Sequence, residues 1–273
     1  MRVCCLGSGS AGNSLLVEAE GTRVLVDAGF SARDLESRLA AVDLGPAALD
    51  AILITHDHGD HTKGVGVFAR RHGTPVYLTE RTRVACHALL RGDERTVGYR
   101  VAHPFTIGGL RVEPFVTVHD AADPVGIAIV DLATGARLGV ATDLGRPTAA
   151  MQHALSGCDF LVLEANHDEV MLRIGPYPWS VKARIGSSHG HLSNRAAARF
   201  VSDLVHPRLA GVLLAHLSNE CNHPDLASEG VGTQLEHKRW RGWLGVARQD
   251  ATGPMLDIEA LRLRSGPEQL SLL

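Results

Sequence analysis

Apolar residues along this chain fall into short blocks, and the spacing within the blocks changes along its length. The early blocks are compact. Residues 2–6, 14–19 (Ser14-Leu15-Leu16-Val17-Glu18-Ala19) and 23–27 (Arg23-Val24-Leu25-Val26-Asp27) read as strands, the last two joined by a hairpin-like turn at Glu20-Gly21-Thr22. The period then lengthens. Ser31 opens a helix, with Asp34 three residues on and a Leu35/Leu39 face. A strand over 50–54, a polar loop, a helix over about 63–72 ending at Gly73, a strand over 75–79 and a helix over 81–91 follow. Strands at 110–118, 125–131 and 137–142 come next, punctuated by Asp123-Pro124 and Thr134-Gly135. Pro147 begins another helix, 159–164 is a buried strand, and 193–205 is a helix capped by Ser193 or Asn194. Two further strands at 209–215 and about 241–248 complete the series. Both halves hold β-rich segments covered by helices. That predicts an α/β protein of two sheets packed face to face with helices outside, a four-layer α/β/β/α sandwich. Neither a repeat nor a convincing linker divides it, so residues 1–273 are expected to form a single domain. Gly175-Pro176-Tyr177-Pro178 is the most irregular stretch and reads as an active-site loop; the tail after about 260 is weakly patterned.

Composition narrows the setting. The 273 residues are 45 % hydrophobic, enough for a sizeable core. A net charge of −3 does not advertise nucleic-acid binding, although a local basic groove stays open. The five cysteines, Cys4, Cys5, Cys86, Cys158 and Cys221, are scattered and form no Cys-x-x-Cys pair, which argues for a reducing compartment. The chain enters a strand-like run directly, without the apolar core of a secretory signal. No apolar run approaches the roughly 18 residues that span a bilayer. A soluble cytoplasmic protein with no membrane partner is expected.

The chemistry is concentrated in the loop after strand 50–54. Thr55-His56-Asp57-His58-Gly59-Asp60-His61 holds three imidazoles and a carboxylate within six residues, the usual nitrogen and oxygen ligands of zinc and similar metals. His56 and His58 are two apart and face the same way on an extended segment, whereas Asp60 and His61 diverge, which suits a second metal beside the first. Three more candidates stand at predicted strand ends: His119 after Val116-Thr117-Val118, Asp143 after Val140-Ala141-Thr142, and His216 after Val212-Leu213-Leu214-Ala215. His56, His58 and His119 make one site, Asp60, His61 and His216 a second, and Asp143 can bridge the two. Each ion then keeps a position for a shared water or hydroxide, as catalytic sites require, and two cations can clamp both oxygens of a phosphoryl transfer.

Other motifs contribute less. His167 follows a buried strand and is a pocket-lining candidate. His189 and His191 precede a helix start, where an anion is favoured; His191 is the candidate for protonating a leaving oxygen. Gly7-Ser8-Gly9-Ser10-Ala11-Gly12-Asn13-Ser14 lacks the Gly-Lys-Ser/Thr ending of a phosphate loop, and reads as a tight turn near the metals from which Asn13 or Ser14 reaches substrate. Lys182 and Arg184 offer charge to a phosphate backbone, with Tyr177 or Trp179 stacking on a base; a solvated helix face accounts for them equally well.

Taken together these residues resemble the metallo-β-lactamase superfamily. His56-Asp57-His58-Gly59-Asp60-His61 matches its first motif, and His119, Asp143 and His216 its later ones. The resemblance implies the metallo-β-lactamase form of the sandwich, two divalent ions drawn from zinc, manganese or iron, and for Asp27 a supporting role without metal contact. Within the superfamily the chain is most similar to the WalJ/YycJ-type bacterial DNA exonucleases, which act 5′ to 3′. The likeness lies in Leu6 to Ser14, Val118-His119-Asp120-Ala121, Ala141-Thr142-Asp143-Leu144-Gly145, Leu163 to Asp168, Gly190-His191-Leu192-Ser193-Asn194 and Leu214 to Glu220. Asp57 stands where relatives often carry Glu, a solvent-side change expected to be neutral. No domain like the one ribonuclease J inserts is visible. The expectation is a dinuclear phosphodiesterase acting on DNA, with a metal-bridging hydroxide as nucleophile, Asp60 as ligand and orienting group, and His191 assisting departure. Hydrolysis of a small thioester, lactone or lactam is the alternative within catalysis, and a non-catalytic metal-binding regulatory module the alternative outside it.

Overall fold

The computed structural model describes residues 1–265; residues 266–273, most of the weakly patterned tail, lie outside the described residues. In chain order the strands are β1 (Arg2–Gly7), β2 (Ser14–Ala19), β3 (Thr22–Val26), β4 (Ala51–Leu53), β5 (Val76–Thr79), β6 (Thr96–Tyr99), β7 (Phe105–Ile107), β8 (Leu110–Val116), β9 (Val125–Asp131), β10 (Arg137–Ala141), β11 (Phe160–Glu164), β12 (Gly211–Ala215), β13 (Trp243–Val246) and β14 (Leu256–Asp257). They form two seven-stranded sheets, ordered β14-β1-β2-β3-β4-β5-β6 and β13-β12-β11-β10-β9-β8-β7.

Alternation along the strands explains the layers. Val17, Val24 and Leu53 face inward and meet Ile127, Leu138, Val162 and Leu213 of the second sheet. Their neighbours Leu16, Leu25 and Ile52 face outward, onto Leu35, Leu39 and Phe68 of helices Ala32–Ala40 and Val65–His72. On the other side Leu161, Leu163, Val212 and Leu214 pack under Leu155, Phe200, Val201 and Val231, from helices Ala149–Leu155, Asn194–Leu204 and Pro224–His237. Strands covered on both faces read as unbroken apolar runs, hence the Val24-Leu25-Val26 and Leu161-Val162-Leu163 blocks. The α/β/β/α sandwich is thereby present.

Boundaries differ where tertiary contacts decide them. The predicted helix over 81–91 stops at Ala85, capped by Cys86, and β6 and β7 follow where no strand was expected. The helix expected to begin at Pro147 has Thr148 as its N-cap, the hydroxyl accepting from Met151 N. Helices Glu169–Ile174, Trp179–Ile185 and Pro224–His237 add to the outer layers, Ile258–Ser265 sends Ile258 and Leu261 into the core between the sheets, and the irregular 175–178 stretch is the link between the first two. No helix among the described residues is long and apolar enough to cross a membrane.

Pairing direction sets the location of the site. β3, β4 and β5 run parallel, as do β10, β11 and β12. Parallel neighbours end on one side, and ligands bind outside those carboxyl ends. Asp27, the His56 loop, Asp143, Glu164 and His216 all lie at or just beyond such ends.

Candidate metal centre

Three of these residues leave their strands through left-handed backbone. Asp27, Asp143 and His216 have φ of 63°, 58° and 55°, a region costly for residues other than glycine and concentrated at functional sites. The turn redirects the chain at the strand end, and all three side chains are buried there.

The side chains converge there. His56, His58, His119 and Asp143 form one group and Asp60, His61 and His216 another, with the donor atoms of each group within 4.8 Å of one another. Asp143 joins them: its Oδ1 is 3.6 Å from His119 Nε2 and its Oδ2 is 3.0 Å from His61 Nε2. The seven residues singled out in the sequence are thus brought together from the ends of separate strands.

Each histidine has one ring nitrogen already committed. His61 Nδ1 donates to Asp27 Oδ2 at 2.7 Å, His216 Nδ1 to Glu164 Oε1 at 2.8 Å, His119 Nδ1 to the Gly190 carbonyl at 2.9 Å and His58 Nε2 to the Asp120 carbonyl at 3.2 Å. His56 Nδ1 donates to Thr55 Oγ1 at 3.0 Å, whose own proton goes to Asp27. A neutral imidazole bonded this way presents a lone pair at its other nitrogen. Those lone pairs face carboxylate oxygens and one another: His216 Nε2 lies 3.1 Å from Asp60 Oδ2, and His119 Nε2 lies 3.2 Å from His58 Nδ1. His56 Nε2 and Asp143 Oδ2 are buried without a hydrogen bond; His61 Nε2, the near neighbour of Asp143 Oδ2, has no well-aligned proton to offer it. Acceptors facing acceptors in a buried space call for positive charge. The surrounding carboxylates create that demand, which a proton meets as a cation would: burial opposes a charge on His216, but Asp143, Asp60 and Glu164 favour it and push its pKa up to about 10. Burial likewise opposes the imidazolium at His61, and Asp143 and Asp27 raise it well above the ordinary range. The nitrogen and oxygen donor set fits divalent cations of the zinc, manganese and iron kind.

Support for the ligands comes from Glu164 and Ser8, which the sequence motifs left without a role, and from Asn13 and Asp57, which were expected to face substrate and solvent. Glu164, fully buried, accepts from His191 Nδ1 and His216 Nδ1 through Oε1, and from Leu144 N and Leu192 N through Oε2. Burial would raise its pKa, yet His191 and His216 hold it at about 2. A charged residue closing an apolar strand was the available signal. Ser8 accepts from His216 N at 2.8 Å and donates to Asn13 Oδ1 at 2.7 Å. Asn13 is buried, its amide 3.2 Å from Asp60 Oδ2 and 3.1 Å from His61 Nε2, so it lies under the ligand loop. Asp57 is half-buried and accepts from Ala122 N, tying the loop to the segment after His119. Gly29 passes so close that an added Cβ would stand 1.7 Å from the Asp60 carbonyl. Gly29→Ala therefore pushes the ligand loop aside. A stability loss of about 1–3 kcal/mol is expected with a fall in bound metal, read by urea titration and elemental analysis.

The remaining candidates surround the cluster. His191 is partly exposed, its ring centroid 5.1 Å from those of both His119 and His216. The His189 ring is exposed, and that residue contributes its carbonyl to Asp120 N. Arg184 Nε donates to Asp120 Oδ2 at 2.6 Å, and Asp120 Oδ1 is 3.3 Å from His119 Nε2. His167 and Lys182 line a cavity of about 560 Å³ that opens beside His191.

Comparison with known proteins places the chain in a family. Residues 22–216 match a family model described as a beta-lactamase superfamily domain. The chain is 38% identical over 236 residues to exodeoxyribonuclease YycJ of Bacillus anthracis, covering 85% of this chain and 88% of that relative. It is 36% identical over 235 residues to exodeoxyribonuclease WalJ of Streptococcus pneumoniae, covering 84% and 86%. The metallo-β-lactamase fold protein YhfI from Bacillus subtilis superposes with a TM-score of 0.73 at 18% identity, over 93% of this chain and 98% of that one. Sheets, cluster and sequence agree, and the chain belongs to the beta-lactamase superfamily, in its metallo-β-lactamase group alongside the YycJ and WalJ proteins.

Proposed function

We propose that this protein is a divalent-metal-dependent phosphodiesterase that digests DNA exonucleolytically from the 5′ end, acting as a single metallo-hydrolase domain. The observation that carries the reading is the pair of ligand groups sharing Asp143, with lone pairs and carboxylates pointed at common space. The two relatives named exodeoxyribonucleases, similar over most of the chain, support DNA as the substrate. In this reading His56, His58 and His119 hold one cation, Asp60, His61 and His216 a second, and Asp143 both; zinc, manganese and iron suit such mixed nitrogen and oxygen donors. Bound divalent cations supply Lewis acidity and a water activated at neutral pH.

The chain's own residues do the rest. Asp27 and Glu164 fix which nitrogens of His61 and His216 stay free, and so keep the ligand geometry from drifting. Asn13 holds the Asp60 carboxylate in place, and Asp60 orients the attacking water. His191, tethered to Glu164 through Nδ1, turns its other nitrogen to the departing oxygen and delivers a proton to it. Lys182 and Arg184 add positive charge along the path of the phosphate backbone. Five free, buried cysteines support a reducing, cytoplasmic setting.

The test is a substrate panel. 5′-Phosphorylated single- and double-stranded DNA with manganese, zinc or iron is set beside a thioester and a chromogenic β-lactam. Progressive shortening of DNA from its 5′ end is expected; turnover of only the last two substrates rejects the reading. His191→Ala is expected to keep its metal and lose about 10²–10⁴-fold in turnover, the worth of one positioned proton donor. Elemental analysis and single-turnover rates check this, and unchanged rates would make His191 a bystander.

A further inference from the structure

We propose that the cavity beside the metal centre is a subsite for one unpaired nucleotide at the end of a DNA strand, with Trp179 stacking on its base and His167 bonding its sugar or phosphate oxygens. This rests on the nuclease reading and adds to it how the strand end is gripped.

Size and position come first. At about 560 Å³ the cavity is within the range of small-molecule sites, roughly 300–1,000 Å³. It lies among helices Glu169–Ile174, Trp179–Ile185 and the start of Asn194–Leu204, and Gly145 and His191 form its wall toward the ligand cluster. A single nucleotide next to a phosphate held at the cluster would fall into it.

The lining is poised for such a ligand. Trp179 is 82% exposed at the rim, an uncommon setting for the largest aromatic side chain. Every base presents a π-face, so an indole of this kind serves any sequence. His167 is only 4% exposed, its ring makes no hydrogen bond among the described residues, and its Nδ1 is buried without a partner. Leaving that atom unpaired costs free energy that a bound oxygen or hydroxyl recovers. Arg173 has no carboxylate partner among the described residues, and Lys182 Nζ bonds only the Arg173 carbonyl. The one carboxylate in the lining, Glu169, is already engaged by Arg195 and Ser193. The balance left to a ligand is positive, as a phosphate requires. A base pair cannot enter this space intact, so blunt duplex ends must fray before cleavage.

The probe is 2-aminopurine deoxyribonucleoside 5′-monophosphate, whose fluorescence is quenched on stacking, titrated into the metal-loaded protein. Saturable quenching is expected. Trp179→Ala is expected to weaken binding by about 5–100-fold, the worth of one base stack, and to raise KM for single-stranded DNA more than it lowers kcat. His167→Ala weakens binding further than His167→Gln, which keeps a hydrogen-bonding group; circular dichroism confirms that both fold. Hydrolysis of bis(4-nitrophenyl) phosphate by the unaltered protein separates the two readings. If that ester and DNA are cleaved while all three variants bind the nucleotide as the parent does, the subsite is overturned and the nuclease stands. If neither is cleaved, the nuclease reading falls and the subsite with it.

Discussion

Asp143→Asn is expected to lower turnover by about 10³-fold or more while the protein stays folded. Asp143 reaches both ligand groups, 3.6 Å from His119 and 3.0 Å from His61 through different oxygens. Asparagine has the same shape, so the strand end and its left-handed turn survive. It lacks the negative charge that would balance two cations in the proposed centre. Lewis-acid stabilisation of this kind supplies several kcal/mol, and each 1.36 kcal/mol is tenfold in rate. Metal content should fall in step, from two ions toward one per chain, as read by elemental analysis beside circular dichroism. Full activity with one oxygen converted to an amide would mean that the two groups do not act through a shared carboxylate.

Glu164→Ala is expected to be the most damaging change to stability near the site. Its buried carboxylate accepts from two interior backbone N–H groups, from the buried His216 ring and from the partly exposed His191 ring. Truncation strands those donors and leaves a void where two charged hydrogen bonds were. Removing one partner of a buried charged pair costs about 3–5 kcal/mol. Urea unfolding in the presence of a chelator isolates this loss, because bound metal by itself stabilises the folded state through mass action. A second effect appears when metal is restored. His216 loses the group that fixes its tautomer, and cation affinity should drop by about 10–100-fold. Glu164→Gln separates the two: it keeps two acceptor sites for the backbone but not the charge, so it should recover most of the stability and little of the affinity. Equal stability in the alanine variant and the parent would show that His191 and His216 find other partners.

Much of the ligand set was legible because its signals are local. His56 to His61 occupy one loop, His119 follows an alternating run and His216 a short unbroken apolar run, both readable as strands. The supporting residues were harder. Ser8 and Asn13 lie in a glycine-rich turn that resembles substrate-binding loops, and their contacts are with Asp60, His61 and His216, up to 208 positions away. Nothing in the turn itself says that it faces the interior. β6 and β7 went unread for a related reason: residues 96–99 and 105–107 are short edge-region segments, partly exposed, whose strand state depends on the neighbour they pair with.

By itself, then, the chain's pattern of apolar blocks determined two covered sheets, and its histidine and aspartate spacing determined a metal-binding loop. Both are properties of residues near one another in sequence, where side-chain periodicity and ligand chemistry act directly. Only the tertiary structure decided that the parallel strands of both sheets end together, that Glu164 rather than solvent holds His191 and His216, and that two helices around an irregular link frame a cavity beside the cluster. Those outcomes depend on which surfaces pack against which, and packing energy is a sum over contacts between distant segments that no local pattern encodes.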